Sequence, residues 1–455
     1  MNRTSEHRSI ARFQTLCIAF VVGLMVPASA FATDNYASGS RYIHQLNRQI
    51  IETTLNDGFS PPVASRIYAY ANLAAYQASC SGFQGFKTLD GQLNIISGMP
   101  VADPKLEYDW RVSSVVALSE VASKMVYYYQ SIDSVGAVIL DELKATTSAE
   151  VFERSKKFGQ NVAAGLLKYV KTDGFIKIQA SEKFDFPQGV EGIWEPTPPK
   201  FMDPADPFIA TVRTMSMSSA GDLDPGSPIE FSTDPNSAFY KQAQEVYQIS
   251  QNMTDEQREI ALFWNDTPGS TQFIGHFTPT QRQINPAGHW INITKIVCEQ
   301  RNLGLMETIE AYALVSVSIF DGFLSCWSAK YKYNTIRPVS YINRYFLNDS
   351  IDHAAWKPLI ETPSFPEYPS GHSTISAAAA TVLTTLFGPT TFTDDTETPF
   401  GYPARTFKNF MDAAQEASIS RVYGGIHFRE GCDAGNRLGK MVGNNVIQKL
   451  ITRAS

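Results

Sequence analysis

The chain has 455 residues, 43% of them hydrophobic, and carries 38 lysines and arginines against 45 aspartates and glutamates, a formal net charge of −7. That length and apolar content allow one large domain or two to three ordinary ones around a real core. The acidic balance argues against nucleic acid as a partner and makes any local cluster of cations informative.

Residues 1–32 read as a cleavable leader, because Arg3, Arg8 and Arg12 precede the apolar run Leu16 to Val26, which is followed by Pro27 and the small residues Ala28, Ser29 and Ala30. The expected location is therefore outside the cytoplasm, periplasmic or secreted. The apolar run is too short to cross a bilayer, and no later stretch is read as a membrane span. Export leaves Cys80, Cys298, Cys326 and Cys432, which either pair in any of three connectivities or stay buried as small apolar residues. There is no CxxC pair and no HExxH, so the sequence carries no zinc signature.

In chain order the patterning is helical. Tyr42 to Leu55 suits a helix, as does the run from Ser60 through Ala78, where a capping serine precedes two first-turn prolines. Leu106 to Gln130, Ser134 to Thr146 and Ala149 to Thr172 continue the pattern, the last ending at Asp173-Gly174. From 175 to 236 the chain is rich in proline, glycine, serine and aspartate but also carries Phe184, Phe186, Trp194 and Phe201, which favours an ordered strap over a flexible linker. Helical periodicity returns at Ser237 to Ser250, Thr254 to Trp264 and, most strongly, Leu303 to Tyr331. His276 and His289, each beside aromatic residues, read as packed, hydrogen-bonded histidines. The chain thus divides into the leader at 1–32, an N-terminal helical region at 33–250 that includes the strap, and a C-terminal helical region at 251–455.

Chemistry concentrates in three blocks of the C-terminal region. The first is Lys330, six residues, then Arg337-Pro338; the second is Pro369-Ser370-Gly371-His372; the third is Ser420-Arg421, five residues, then His427. Three fixed cations, a serine, a glycine amide and two imidazoles provide charge neutralisation, forked donors and a nucleophile or ligand for a tetrahedral oxyanion. Ser370 caps an alanine-rich helix running to Leu386, so the Gly371 amide lies in a first turn, where anions bind. His372 stands at that edge, placed to exchange protons with a ligand oxygen. Gly424-Gly425 breaks the helix that ends near Arg421, and the turn brings His427 back towards it ahead of a last helix expected from Ala434 to Ile451.

These blocks resemble the three-part signature shared by vanadium-dependent haloperoxidases, type 2 phosphatidic acid phosphatases and bacterial class A acid phosphatases. The resemblance covers roughly residue 325 to the C-terminus and implies an all-α fold of helical bundles with vanadate or phosphate in a four-helix-bundle core. It implies that Lys330, Arg337, Ser370, Gly371 and Arg421 hold equatorial oxygens, that His427 binds vanadium or attacks phosphorus, and that His372 is the acid–base. The pattern departs at one place: where the family has an aspartate four residues after the second histidine, this chain has Gly431, leaving Glu430 and Asp433 as the neighbouring carboxylates to orient His427. Trp327 and Phe365 stand where the haloperoxidase branch is similar, and the chain is much longer than simple acid phosphatases. The resemblance therefore implies vanadate as cofactor and hydrogen peroxide and halide, iodide or bromide first, as substrates, with Lys330 polarising a bound oxygen. Two other readings stay open: a phosphatase acting through phospho-His427, with phosphate ester as substrate, and a non-catalytic oxyanion binder, which would have no need of His372.

Overall fold

The computed structural model describes residues 39–179, 181, 183–187, 189–267, 283–348 and 355–454. The leader and His276 lie outside them. Five helices come first: α1 (Ser40–Asn56), α2 (Pro61–Gln77), α3 (Trp110–Ser123), α4 (Tyr129–Lys144) and α5 (Ala149–Val170). After the strap follow α6 (Ala238–Gln251), α7 (Asp255–Phe263), α8 (Pro286–Gln300), α9 (Leu305–Tyr333), α10 (Gly371–Phe387), α11 (Phe410–Tyr423) and α12 (Arg429–Lys449). Among the described residues the sheet content is one small antiparallel pair, β1 (Phe392–Asp394) with β2 (Arg405–Phe407), Phe392 lying opposite Phe407. The fold is all-α, as the patterning implies.

Local chemistry sets the boundaries. The Ser148 and Ser237 side chains each accept the backbone N–H three residues on, and Thr254 forms a reciprocal capping box with Gln257. Asn334, left-handed at φ 48°, ends α9 and turns the chain towards Arg337. Two expected boundaries are corrected, and one helix is added. The run from Leu106 to Gln130 is not one helix: α3 stops at Ser123, and the carboxylate of Asp57 takes the N–H groups of Tyr127 and Tyr128 before α4 begins. The segment around His289 is a helix, α8, capped by the Asn285 side chain on the Gly288 N–H with Pro286 in its first turn. The last helix also starts earlier than expected, at Arg429.

α9 packs on α2 on one side and on α10 and α12 on the other, so one buried apolar core runs from Tyr42 to Leu450 across the boundary expected near residue 250. By length and composition α9 is long and apolar enough to cross a membrane, which corrects the expectation that no later stretch is; its apolar stretch is wholly buried inside the protein. Cys80, Cys298, Cys326 and Cys432 are all buried and free.

α9, α10, α11 and α12 form the C-terminal bundle, and its tightest seam is α10 against α12. Gly435 and Gly439 make that seam: a β-carbon at Gly435 would sit 2.6 Å from the Ser370 carbonyl oxygen, and one at Gly439 would sit 2.0 Å from that of Thr374. Backbone cannot yield as a flexible side chain does, so Gly439→Ala is expected to cost ~3 kcal/mol or more, read as a fall in melting temperature. An unchanged melting point would show that the seam is not tight.

The strap is pinned along α9 and the chain that follows it. Asp321 of α9 accepts the Met215 and Ser216 N–H groups at 2.7 and 2.8 Å, the Ala205 carbonyl accepts from Trp327 Nε1 and the Tyr331 hydroxyl, and Ile193 bridges Thr335. Buried carboxylate-to-amide bonds of this kind fix a loop rather than leave it to wander.

Candidate active site

Lys330, Arg337, Ser370 and Arg421 are completely buried, and His427 is 2% exposed. The end of α9 delivers Lys330, whose ammonium donates to the Pro366 and Glu367 carbonyls at 2.8 and 3.0 Å and lies 4.9 Å from the Phe365 ring. Arg337 donates through Nε to the Phe365 carbonyl and through Nη1 to that of Ile426, each at 2.8 Å. Arg421 donates to the Ser420 hydroxyl at 2.9 Å and to the Asn265 and Trp264 carbonyls. Trp327 and Phe365, whose rings are 4.9 Å apart, form one aromatic wall beside Lys330.

Gly424-Gly425 makes the turn that returns His427 to this cluster. Gly425 is left-handed at φ 78°, and the Ile426 N–H donates to the Arg421 carbonyl at 3.1 Å. His427 Nε2 lies 3.2 Å from Arg337 Nη1, and Nδ1 lies 2.7 Å from Glu367 Oε1. That same Glu367 oxygen also accepts the Phe428 N–H, at 3.1 Å. An oxygen accepting from an amide acts as acceptor to the ring as well, so the His427 proton sits on Nδ1 and Nε2 keeps its lone pair. Burial, then Arg337 and Lys330, hold His427 well below its ordinary pKa, so the ring is neutral and available as a ligand or nucleophile.

The carboxylate at His427 corrects the sequence reading. Glu430 pairs with Arg437 at 3.1 Å and Asp433 is exposed; the partner is Glu367, 3% exposed, from the FPEYPSGH run. A β-carbon at Gly431 would lie 2.1 Å from Glu367 Oε1, so the glycine that departs from the family pattern opens the space this carboxylate fills.

Ser370 caps α10 and Gly371 and His372 open it. His372 Nε2 lies 3.7 Å from Asp266 Oδ2; burial, then Arg421, His289 and Lys330, hold the imidazole well below its ordinary pKa. Behind Asp266 lie His289, Asp394 and Glu397, each of them buried. His289 is packed and hydrogen-bonded, as its sequence setting suggests, but its partners are carboxylates. No spacing in the sequence signals this cluster, because Asp266, His289 and the run holding Asp394 and Glu397 are three separate segments.

Gly371, His372, His427, Asp266, Trp327 and Phe365 line a cavity of about 590 Å³. The α1–α2 turn, through Leu55 and Phe59, supplies an apolar wall that the sequence reading did not anticipate. Lys330, Arg337, Ser370 and Arg421 sit behind this lining.

The donor set fits an oxyanion. Lys330, Arg337 and Arg421 donate to backbone carbonyls and a serine hydroxyl and form no ion pair among the described residues, Glu367 being taken by His427, and Arg337 Nη2 is buried with no hydrogen-bond partner among the described residues. Burial, with Arg337 alongside, lowers the Lys330 ammonium to about 7, and burial raises Glu367 to about 7 against the pull of Arg337 and Lys330. A bound anion relieves the first of these costs directly.

Residues 310–454 match the family model described as the VCPO second helical-bundle domain. The structure of a bacterial vanadium-dependent iodoperoxidase superposes with a TM-score of 0.84 at 35% identity, covering 91% of this chain and 98% of that one. A holo-type bacterial vanadium-dependent chloroperoxidase shares the fold, with a TM-score of 0.64 at 16% identity over 87% of this chain and 93% of that one. No curated protein matches the chain. With that identity over nearly the whole length of the iodoperoxidase, the chain belongs to the vanadium-dependent haloperoxidases.

Proposed function

We propose that this protein is an exported vanadium-dependent haloperoxidase that oxidises halide, iodide most readily, with hydrogen peroxide. In the overall change one peroxide, one halide and one proton become one hypohalous acid and one water. The observation that carries the reading is the placing of His427, with Nδ1 on the Glu367 carboxylate and Nε2 set beside Arg337 within a cluster of buried cations. The family and the similarity to an iodoperoxidase support it. The arginine-flanked apolar leader supports export.

Vanadate, when bound, supplies a Lewis-acidic centre that activates peroxide without changing oxidation state. In this reading His427 Nε2 is its protein ligand, and Lys330, Arg337, Arg421, Ser370 and the Gly371 amide hold its oxygens. Glu367 fixes the His427 ring and its tautomer. Lys330, desolvated and braced by two carbonyls, offers a concentrated positive charge where negative charge is drawn off an oxygen. His372, neutral and at the cavity wall, takes and returns the proton that the stoichiometry consumes. Phe365, Trp327, Phe59 and Leu55 limit water at the reacting centre.

The test is turnover of the processed protein, recovered outside the cytoplasm with its N-terminus after residue 32. Vanadate-free protein is expected to be inert towards iodide, to gain peroxide-dependent iodide oxidation on adding orthovanadate, and to lose it when excess phosphate competes for the site. Hydrolysis of phosphate esters by vanadate-free protein at about 1 to 1,000 per second, with vanadate acting only as an inhibitor, would overturn the reading in favour of a phosphatase.

A further inference from the structure

His289 has no part in holding an oxyanion, yet it is fully buried and bound at both ring nitrogens. Its ring stacks on Trp264 with centroids 4.4 Å apart and an interplanar angle of 16°. Nδ1 lies 2.9 Å from Asp266 Oδ1 and Nε2 lies 2.8 Å from Asp394 Oδ2. Asp394 is itself fixed, because its other oxygen accepts the Thr396 N–H at 3.0 Å and the Thr396 hydroxyl at 2.5 Å. A neutral imidazole donates once; two carboxylate acceptors on opposite sides of one ring call for two donors.

The far oxygen of Asp266 completes the chain. Oδ2 of Asp266 and Nε2 of His372 are both buried, each lacks a hydrogen-bond partner among the described residues, and they face each other at 3.7 Å. Asp266 also holds a left-handed backbone, φ 45°, which for a residue other than glycine costs energy and persists where surroundings fix it.

We propose that His289 is a positioning residue for the acid–base step: clamped between Asp394 and Asp266, it holds Asp266 so that Oδ2 meets Nε2 of His372 and Nδ1 of His372 is left for the cavity. This rests on the haloperoxidase reading given above. Electrostatics agree with the geometry: burial works against a charged ring, but Asp266 and Asp394 outweigh it and hold His289 well above its ordinary pKa. The remaining charged neighbours are consistent. Glu397, 3.9 Å from Nδ1, is pushed well up by burial and by Asp266 and so stays protonated at neutral pH, while Arg421 balances the second carboxylate. Asp266, His289 and Glu397 are close enough together to hold a metal ion, but an ion there would need the Nδ1 position that Asp266 already occupies.

Two measurements test the clamp. In vanadate-free protein with ¹⁵N-labelled histidine, NMR should show both His289 nitrogens protonated at neutral pH and the His372 proton held on Nε2. In His289→Gln the His372 proton should redistribute between the two nitrogens. In vanadate-loaded protein, His289→Gln should keep vanadate affinity by calorimetry and the halide KM, while kcat falls about 10-fold or more and its pH profile shifts. Asp394→Asn, which preserves volume, should move the same readouts in the same direction if the glutamine variant fails to fold. A neutral His289, an unmoved His372 tautomer, or a stoichiometric divalent ion that Glu397→Gln removes would each overturn the proposal. The NMR arm reads the clamp even if wild-type protein proves unable to oxidise halide, so the two failures are distinguishable.

Discussion

Gly431→Asp alone is expected to abolish vanadate uptake, and the same substitution combined with Glu367→Ala to restore it. The β-carbon introduced at Gly431 would stand 2.1 Å from Glu367 Oε1 and 2.8 Å from its carboxyl carbon. Glu367 cannot step aside. It is 3% exposed, its N–H donates to the Thr335 carbonyl at 3.1 Å, and its own carbonyl braces Lys330. Two carboxylates in that space would also repel without solvent to screen them. Glu367→Ala alone leaves His427 Nδ1 without its acceptor, freeing the ring to turn or change tautomer; an outer partner of this kind is worth about 10–100-fold in affinity. In the double variant, the new carboxylate at position 431 stands one turn after His427, where the family pattern carries its aspartate, and affinity should return to within about tenfold of wild type. Calorimetry with orthovanadate, beside a melting curve for each variant, gives the answer. Wild-type affinity in Glu367→Ala, or no recovery in a folded double variant, would remove Glu367 from this role.

The three motif blocks are legible in the sequence because they are local: fixed spacings around Lys330, Ser370 and Arg421 carry the oxyanion chemistry whatever the tertiary detail. The structure brings Lys330, Arg337, Arg421 and His427 into one buried cluster. Some helix starts are legible too, at the prolines after Ser60, whose own side chain makes no capping bond, and at the Ser370 cap. What escapes is non-local. Glu367 lies 60 residues from His427 in sequence, and its only signal is the carboxylate missing at 431, which points to Glu430 and Asp433 instead. The His289 cluster joins Asp266, α8, β1 and the turn after it, with no periodic or motif signal. α8 is the exception: Asn285 and Pro286 mark its start, but the sequence reading assigns no helix there. The wall formed by Leu55 and Phe59 depends on α2 packing against α9, which a one-dimensional pattern does not carry.

His372→Ala separates binding from turnover, the division of labour on which the proposed mechanism depends. His372 sits in the first turn of α10 and lines the cavity, whereas the cations and His427 Nε2 supply the charge and the ligand that vanadate needs. Removing the imidazole takes no positive charge from the site, since burial and the nearby Arg421 already hold it neutral. Vanadate affinity is therefore expected to stay within about tenfold of wild type, while kcat falls about 10²–10⁴-fold, the range for loss of a general acid–base. His427→Ala should behave oppositely: the missing ligand abolishes uptake, and no turnover remains to be measured. Calorimetric affinity and steady-state iodide oxidation on the two variants, with circular dichroism to confirm that both fold, decide between these roles. If His372→Ala loses vanadate as completely as His427→Ala, His372 is part of the anion's grip, and the proton must be handled by another group at the cavity wall.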